Sequence, residues 1–168
     1  AVSRTVSNKF SEFVSVLDYN ADPSGSTDSS GAFTNAILAV GSGTLYVPPG
    51  TYKFLSGVTI STSIIITGES PGSSIIKPVG NFDVFTFTGG SQGAGMTNIG
   101  FDGSGMTGST CVVVDTADRL GFQNITFSSP WNVFRIITCN VCSIRQVWAG
   151  GVRGTYGIYW YGDNTHRS

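Results

Sequence analysis

Three similar six-residue segments indicate the fold: Met-Thr-Asn-Ile-Gly-Phe at residues 96–101, Phe-Gln-Asn-Ile-Thr-Phe at 122–127 and Ile-Arg-Gln-Val-Trp-Ala at 144–149. Each copy has an apolar residue, two polar residues and then Ile or Val, and successive copies lie 26 and then 22 residues apart. Such a period is typical of a leucine-rich repeat or of one coil of a parallel β-helix. Only five residues are leucine, so the β-helix is favoured.

Composition supports strands and turns and limits the possible partners. Only 11% of the 168 residues are charged, and the net charge is −1, which predicts no nucleic-acid partner. We find no apolar run near the roughly 18 to 20 residues of a membrane span and therefore expect no membrane insertion. A basic segment followed by an apolar one is not visible at the N-terminus, so a signal peptide is not expected.

One helix and many short strands are predicted. Asp28 is a candidate N-cap, Phe33, Ile37 and Val40 follow at helical spacing, and Gly41 supplies the stop, so a helix is expected over residues 28–40. This helix would lie over the open edge of the first coil. The expected strands are 45–47, 58–60, 64–67, 74–77, 84–87, 97–101, 111–114, 122–127, 133–137, 143–148 and 157–161.

The first 17 residues are predicted to be a leader or neck, and residues 18–168 the N-terminal part of the β-helix. Val6, Phe10, Phe13 and Leu17 recur at helical spacing. This stripe is compatible with a short helix that packs against a neighbour, and also with a flexible leader.

Three segments resemble the pectate-lyase superfamily of β-helix proteins. Residues 15–33 (SVLDYNADPSGSTDSSGAF) are similar to its N-terminal signature, 43–52 (GTLYVPPGTY) to its next motif, and 67–76 (TGESPGSSII) to the one that follows. The resemblance implies an all-β fold, a right-handed single-stranded parallel β-helix with an N-terminal capping helix. Asn20 replaces a family glycine, and asparagine tolerates the left-handed conformation of that turn.

Residues 4–6 and 11–16 are similar to the segment that precedes this signature in phage tailspikes. That resemblance implies a homotrimer in the virion tail, assembled in the host cytoplasm, whose partners are host surface polysaccharide and other tail proteins. The function expected first is therefore attachment, without a cofactor. A polysaccharide depolymerase, either hydrolase or lyase, with its active site mostly on later coils is the second possibility, and a free secreted glycan-degrading enzyme is the third.

Carboxylates for catalysis are few. Glycosidases use two carboxylates about 5 to 10 Å apart, and lyases use a base beside a group that neutralises the sugar acid. The acidic candidates are Asp102, Asp115, Asp118 and Asp163, and the basic ones are Arg119, Arg135, Arg145 and Arg153. Because the four acids adjoin predicted turns, turn carboxylates exposed to water are the favoured interpretation.

The densest aromatic run is Tyr-Gly-Ile-Tyr-Trp-Tyr at 156–161. Strand alternation predicts Tyr156, Ile158 and Trp160 on one face and Tyr159 and Tyr161 on the other. Tyr159 and Tyr161 are candidates for stacking on sugar rings, although an interface or core role is favoured.

A metal site is not expected. Cys111, Cys139 and Cys142 include one CxxC pair, but a second pair is missing, so three reduced strand cysteines are predicted. Residues 18–24 begin like a calcium loop, yet the sixth and twelfth positions hold Pro23 and Ser29 instead of Gly and Glu, which excludes an EF-hand.

Overall fold

The computed structural model describes residues 14–161 and shows a right-handed parallel β-helix of about five turns with one α-helix near its N-terminus. The helix α1 spans Ser30–Val40, and a short 3-10 helix spans Val16–Tyr19. The strands are β1 (Val14–Ser15), β2 (Gly43–Val47), β3 (Gly50–Phe54), β4 (Val58–Ile60), β5 (Ile64–Gly68), β6 (Ser74–Gly80), β7 (Phe85–Phe87), β8 (Gly95–Asp102), β9 (Gly105–Met106), β10 (Thr110–Val114), β11 (Leu120–Ser128), β12 (Asn132–Ile136), β13 (Cys142–Gly150) and β14 (Ile158–Trp160).

The strands form two sheets, and every strand pair is parallel. A nine-stranded sheet contains the path β1-β2-β5-β8-β11-β13, and a five-stranded sheet has the order β14-β12-β10-β7-β4. The register confirms the sequence repeat, because Ile125 of β11 lies opposite Ile99 of β8 on one side and Val147 of β13 on the other. Each copy of the repeat is therefore one strand of successive coils.

A left-handed residue bends each of the long strands β8, β11 and β13. Asn98, Asn124 and Gln146 have φ values of 56°, 53° and 50° and occupy the same register position. The Asn124 side-chain amide donates to the Asn98 side-chain oxygen at 2.8 Å. Asparagine tolerates this conformation, so the polar residue in the middle of each repeat makes the corner at which one flat face of the coil turns into the next.

Aromatic rings fill the narrow interior. Phe101 stacks on Phe127 with ring centroids 4.7 Å apart, and Phe127 meets Phe134 edge to face at 5.6 Å. The rings follow one another through the core in the order Phe33, Phe54, Phe85, Phe101, Phe127 and Phe134. Ring pairs of this kind stabilise a core beyond the area they bury.

Helix α1 covers the first coils, as predicted. Phe33 and Ile37 are buried, Val40 is partly buried, and the Phe33 ring lies 4.9 Å from that of Phe54. The predicted start at Asp28 was wrong: the helix begins at Ser30, and Ser29 is its N-cap. Asp28 instead accepts hydrogen bonds from the backbone of Ser30 and of Leu55, which ties the helix start to the chain after β3.

The turn before α1 is held by one carboxylate. Asp22 accepts hydrogen bonds from the Ser24 hydroxyl at 2.6 Å and the Thr27 backbone amide at 2.7 Å, and these donors hold the pKa of Asp22 well below its usual range. Asn20 takes the left-handed conformation with φ 64°, which confirms that asparagine can replace the glycine there. The calcium-like spacing is thus explained by a turn.

Residues 14–17, the described end of the predicted leader, are joined to the β-helix. β1 pairs with β2 in parallel, and Val16 is fully buried. Leu17 is 41% exposed, whereas Val6, Phe10 and Phe13 lie outside the described residues.

Three strands were not predicted, and the first of them is β1, which lies in the predicted leader. β3 directly follows Pro48 and Pro49, and its Tyr52 and Phe54 are fully buried. β9 is only two residues long and pairs with the end of β6. A run as short as β9 carries no period by which a sequence pattern could identify it.

The cysteine prediction was wrong for two of the three residues. The turn between β12 and β13 brings the Cα atoms of Cys139 and Cys142 to 6.0 Å, a separation that suits a disulfide, and the two are bonded. Cys111 is buried and unpaired, as predicted, and burial raises the pKa of its thiol.

Replacing Phe33 with Ala should lower the free energy of unfolding by about 3–5 kcal/mol, because it removes a fully buried ring and leaves a cavity in the core. The measurement is chemical denaturation followed by circular dichroism. The matched control is Leu38→Ala on the outer side of the same helix, where the side chain is 69% exposed and the change should be small. Equal unfolding midpoints for the two variants would contradict the capping role of α1.

Candidate functional site

The outer face of the five-stranded sheet carries a row of side chains in register. Thr86 of β7, Val113 of β10, Arg135 of β12 and Tyr159 of β14 occupy successive positions in this row. Val113 faces outward yet is only 2% exposed, so the neighbouring outer side chains cover it. Two residues of this row, the first residue of β10 and two residues that precede β7 and β14 form a surface that we call the arginine–tyrosine patch: Arg135, Tyr159, Thr110, Asp83 and Tyr156.

Asp83 fixes the position of Arg135 in this patch. An Arg135 terminal nitrogen donates to one Asp83 carboxylate oxygen at 2.6 Å, while the other oxygen accepts from the Thr110 backbone amide at 3.0 Å. Arg135 Nε is buried and has no hydrogen-bond partner within residues 14–161. The guanidinium is therefore held in place on one edge and keeps unsatisfied donor capacity on another.

Two tyrosines flank the ion pair. The Tyr156 hydroxyl lies 3.1 Å from the Thr110 hydroxyl, and the Tyr156 ring is 5.2 Å from that of Tyr159. Tyr159 is 45% exposed, which excludes a core position for it in the described part of the chain. An exposed ring beside fixed polar groups suits a partner that has both apolar and hydrogen-bonding surface.

The predicted alternation of the aromatic run holds in β14 but not before it. Ile158 and Trp160 lie opposite the inward-facing Phe134 and Ile136, whereas Tyr159 lies opposite Arg135. The placement of Tyr156 on the face opposite Tyr159 was wrong. Tyr156 precedes the strand, where the period of two does not apply, and its ring packs against Tyr159.

Asp102 ends β8 on the nine-stranded sheet and pairs with Lys77 at 3.0 Å. Desolvation raises its pKa, but hydrogen bonds from Ser104 and Lys77 outweigh that effect, and the net shift is downward. This carboxylate is therefore ionised and paired at neutral pH.

The other acidic candidates lie elsewhere. Asp115 and Asp118 are in the connection between β10 and β11, and Asp163 lies outside the described residues. Asp118 interacts with Arg119 at 3.6 Å, and one Asp118 oxygen is buried without a partner among residues 14–161. The structure places Asp102 at one corner of a coil and Asp115 and Asp118 at another, so a catalytic role for them stays a prediction.

The arginine candidates differ in their surroundings. Arg153 donates to the backbone carbonyls of Gly103, Met106 and Ser129 and joins three corners of the solenoid. Arg119 is exposed at the β10–β11 connection, and Arg145 lies on the nine-stranded sheet. Of these four arginines, Arg135 is the one that pairs with a carboxylate and also lies opposite an exposed tyrosine in register.

Comparison with known proteins gives the family of this chain. The model of the family described as rhamnogalacturonase A/epimerase, pectate lyase-like matches residues 13–133, well over half of the chain. The chain belongs to this pectate-lyase-like family. No curated protein matches it significantly.

Solved structures agree on the fold of this pectate-lyase-like chain. It is similar to the A-module of the mannuronan C-5 epimerase AlgE6 of Azotobacter vinelandii, with TM-score 0.71, 18% identity, and coverage of 82% of this chain and 44% of that one. For ORF18 of Geobacillus virus E2 the TM-score is 0.64 and the identity 18%, with coverage of 95% of this chain and 45% of that one. For pre-mature gene product 12 of bacteriophage phi29 the TM-score is 0.64 and the identity 20%, with coverage of 80% of this chain and 21% of that one. The chain thus spans less than half the length of each of these three proteins.

The patch of this pectate-lyase-like chain has the chemistry of a binding site. It offers a fixed guanidinium, hydroxyl groups and an exposed ring, but Asp83 is its one carboxylate. The two-acid arrangement of glycosidases is therefore not present among the five residues of the patch. A group of three or more metal-ligating side chains is not found within the described range either. The helix is too short to span a membrane.

Asp83→Asn should cost about 1 kcal/mol of stability, because the ion pair with Arg135 is only partly buried. The difference from the native chain should shrink when salt is added, since screening weakens the ionic part of the contact. Denaturation at low and high ionic strength measures it, with Asp115→Asn as the control. A loss that salt leaves unchanged would contradict an ionic contribution of the Asp83–Arg135 pair to stability.

Proposed function

We propose that the chain is part of a virion tail component, a tailspike or tail fibre, that attaches to host surface polysaccharide through the arginine–tyrosine patch. The chain is a pectate-lyase-like parallel β-helix, similar in fold to a mannuronan C-5 epimerase and to phage proteins. The observation that carries the proposal is the position of Arg135, held by Asp83 beside the exposed ring of Tyr159.

The patch suits a saccharide for physical reasons. A sugar ring has an apolar face of C–H groups and an edge of hydroxyl groups. Tyr159 offers a flat surface for the former, and the Tyr156 hydroxyl with the partly exposed guanidinium of Arg135 offers partners for the latter. Arg135 and Tyr159 are adjacent strand residues in register, so their spacing is fixed by the sheet.

The virion part of the proposal is supported by residues 4–6 and 11–16, which resemble the segment that precedes the β-helix in phage tailspikes. Similar folds in proteins of Geobacillus virus E2 and bacteriophage phi29 are compatible with it. Attachment would take place at the tail, after assembly in the host cytoplasm.

A polysaccharide depolymerase is the second candidate. Asp83, Arg135 and the Tyr156 hydroxyl group together supply an acidic group, a cation and a phenol around one surface. A lyase uses a base and a positive group that neutralises the sugar acid, and this set contains both kinds of group. The residues that complete such a site would then lie in the remainder of a longer protein.

The binding test is an array of purified bacterial capsular and outer-surface polysaccharides, followed by titration of any glycan that the chain retains. Tyr159→Ala should weaken binding about tenfold or more, the equivalent of about 1.4 kcal/mol, because the stacking surface is lost. The control is Trp148→Ala, which removes an exposed ring from the other sheet. Unchanged affinity in Tyr159→Ala, or a chain that retains no glycan, would remove attachment through the patch.

The same titration mixtures distinguish attachment from cleavage. New reducing ends that disappear in Asp83→Asn and Tyr156→Phe would favour the depolymerase. Retention of the glycan without new reducing ends would favour pure attachment.

The proposal includes a homotrimer. Three leaders that present Val6, Phe10, Phe13 and Leu17 could bury these apolar side chains against one another around a threefold axis. Light scattering on the longest natural form should give three times the chain mass, and changing both Phe10 and Phe13 to Ser should lower the mass to that of a monomer. A monomeric natural form would favour the free enzyme instead of the tailspike.

A further inference from the structure

A groove with a volume of about 280 Å³ crosses the outer face of the nine-stranded sheet. It runs over β5, β8, β11 and β13 and is separate from the arginine–tyrosine patch, which lies on the other sheet. We call it the outer groove, and its lining residues are Ile65, Thr97, Gly121, Phe122, Gln123, Ser143 and Arg145.

The groove is concave because two glycines lie in register at its floor. Gly95 and Gly121 occupy neighbouring positions between Ile65 on one side and Ser143 on the other. Gly95 cannot carry a side chain, since a Cβ there would lie 2.1 Å from the Gly121 carbonyl oxygen. A Cβ on Gly121 would meet nothing within 4 Å, so the space above it is open.

One wall of the outer groove is polar. Thr97, Gln123 and Arg145 follow one another in register on β8, β11 and β13. The Thr97 hydroxyl bonds to Thr67 at 3.0 Å, and the Gln123 amide lies 3.4 Å from the Gln146 side-chain oxygen. Thr97 and Gln123 therefore each have a hydrogen-bond partner beside the groove.

Arg145 is the cation of this wall. Its Nε donates to the Ser143 hydroxyl at 3.0 Å, which orients the guanidinium. Across residues 14–161 Arg145 has no carboxylate partner, and none of the lining residues is acidic. An exposed guanidinium with unpaired terminal nitrogens matches the two oxygens of a carboxylate.

We propose that the outer groove is a second saccharide site, which takes one carboxylate-bearing sugar unit. The Arg145 terminal nitrogens pair with the sugar carboxylate, Thr97 and Gln123 bond to ring hydroxyl groups, and Ile65 packs against the C–H face of the ring. The inference goes beyond the proposed function, because this site lies on a different sheet and stands whether or not the patch binds glycan.

The chemistry favours a carboxylated sugar over a neutral one. With a neutral sugar, the guanidinium would stay hydrated and form no ion pair. The sugar would form only hydroxyl hydrogen bonds at an open surface, and such bonds contribute little net free energy to binding. A carboxylate can accept two charge-assisted hydrogen bonds from the guanidinium in a bidentate arrangement. Selectivity for the acid over the matched neutral sugar is therefore the signature of the site.

The experiment is an NMR titration of the ¹⁵N-labelled chain with methyl β-glucuronide, and with methyl β-glucoside as the neutral match. The backbone amides of Thr97, Gln123 and Arg145 should shift with the glucuronide, and its Kd should be at least tenfold lower than that of the glucoside. Arg145→Gln should raise the glucuronide Kd about tenfold or more and leave the glucoside Kd unchanged. The matched control is Arg119→Gln, which removes an exposed arginine at a corner outside the groove.

A second pair of variants tests the shape of the site. Gly121→Leu should abolish the amide shifts, because the added side chain enters open groove space without meeting the backbone. Gly31→Leu adds the same side chain on the exposed side of α1, where a Cβ also meets nothing within 4 Å, and it should change nothing.

Equal Kd values for the two sugars, or a glucuronide Kd that Arg145→Gln leaves unchanged, would overturn the inference. Shifts confined to Arg135, Tyr156 and Tyr159 would overturn it as well and would leave the patch as the saccharide site. Conversely, Tyr159→Ala should not affect the groove amides, so failure of the proposed function and failure of this inference give different results. Concentration-dependent broadening of the groove amides without added sugar would indicate a second copy of the chain as the occupant and would also contradict it.

Discussion

Backbone hydrogen bonds between successive coils determine both the core and the surface of this β-helix. Every described strand pair is parallel, so the amide and carbonyl groups of one coil are satisfied by the next coil and not by a neighbouring segment of the chain. A coil must therefore reproduce the path of the previous one at each residue of its strands. The left-handed residues Asn98, Asn124 and Gln146 stack at one corner because a bend in one coil has to lie directly over the bend below it.

This constraint organises both the interior and the surface. Inside, residues at equal positions of successive coils meet, which brings phenylalanines distant in sequence into edge-to-face and stacked contacts. Outside, the same alignment produces straight rows. The row that contains Arg135 and Tyr159 forms the patch on one sheet, and the row of Thr97, Gln123 and Arg145 forms the polar wall of the groove on the other. A binding site on such a β-helix therefore consists of side chains at equivalent positions of successive coils.

The strands of the coils and the helix could be predicted because each depends on a pattern within a short segment of the sequence. The repeat around Ile99, Ile125 and Val147 gave the register observed between β8, β11 and β13, and the apolar spacing from Phe33 to Val40 gave α1. The patch could not be predicted in the same way, since Asp83 and Arg135 are 52 residues apart and meet only because of the stacking. The pairing of Cys139 with Cys142 depends on the geometry of a turn, which composition does not reveal. Tyr156 was misplaced because the rule of alternation was extended one step beyond the strand.

The aligned bend at Asn98, Asn124 and Gln146 also determines where evolution can change the length of the chain. An insertion of a single residue within β8 would turn Ile99 and Phe101 outward and bring polar neighbours into the core, and it would break the match with both adjacent coils. An insertion in the connection between β10 and β11 shifts no strand ladder and disturbs only the single bridge between Ala117 and Cys139 described there. Loops of different length, and whole additional coils, can therefore be accepted between the strands while the strands themselves keep a constant length.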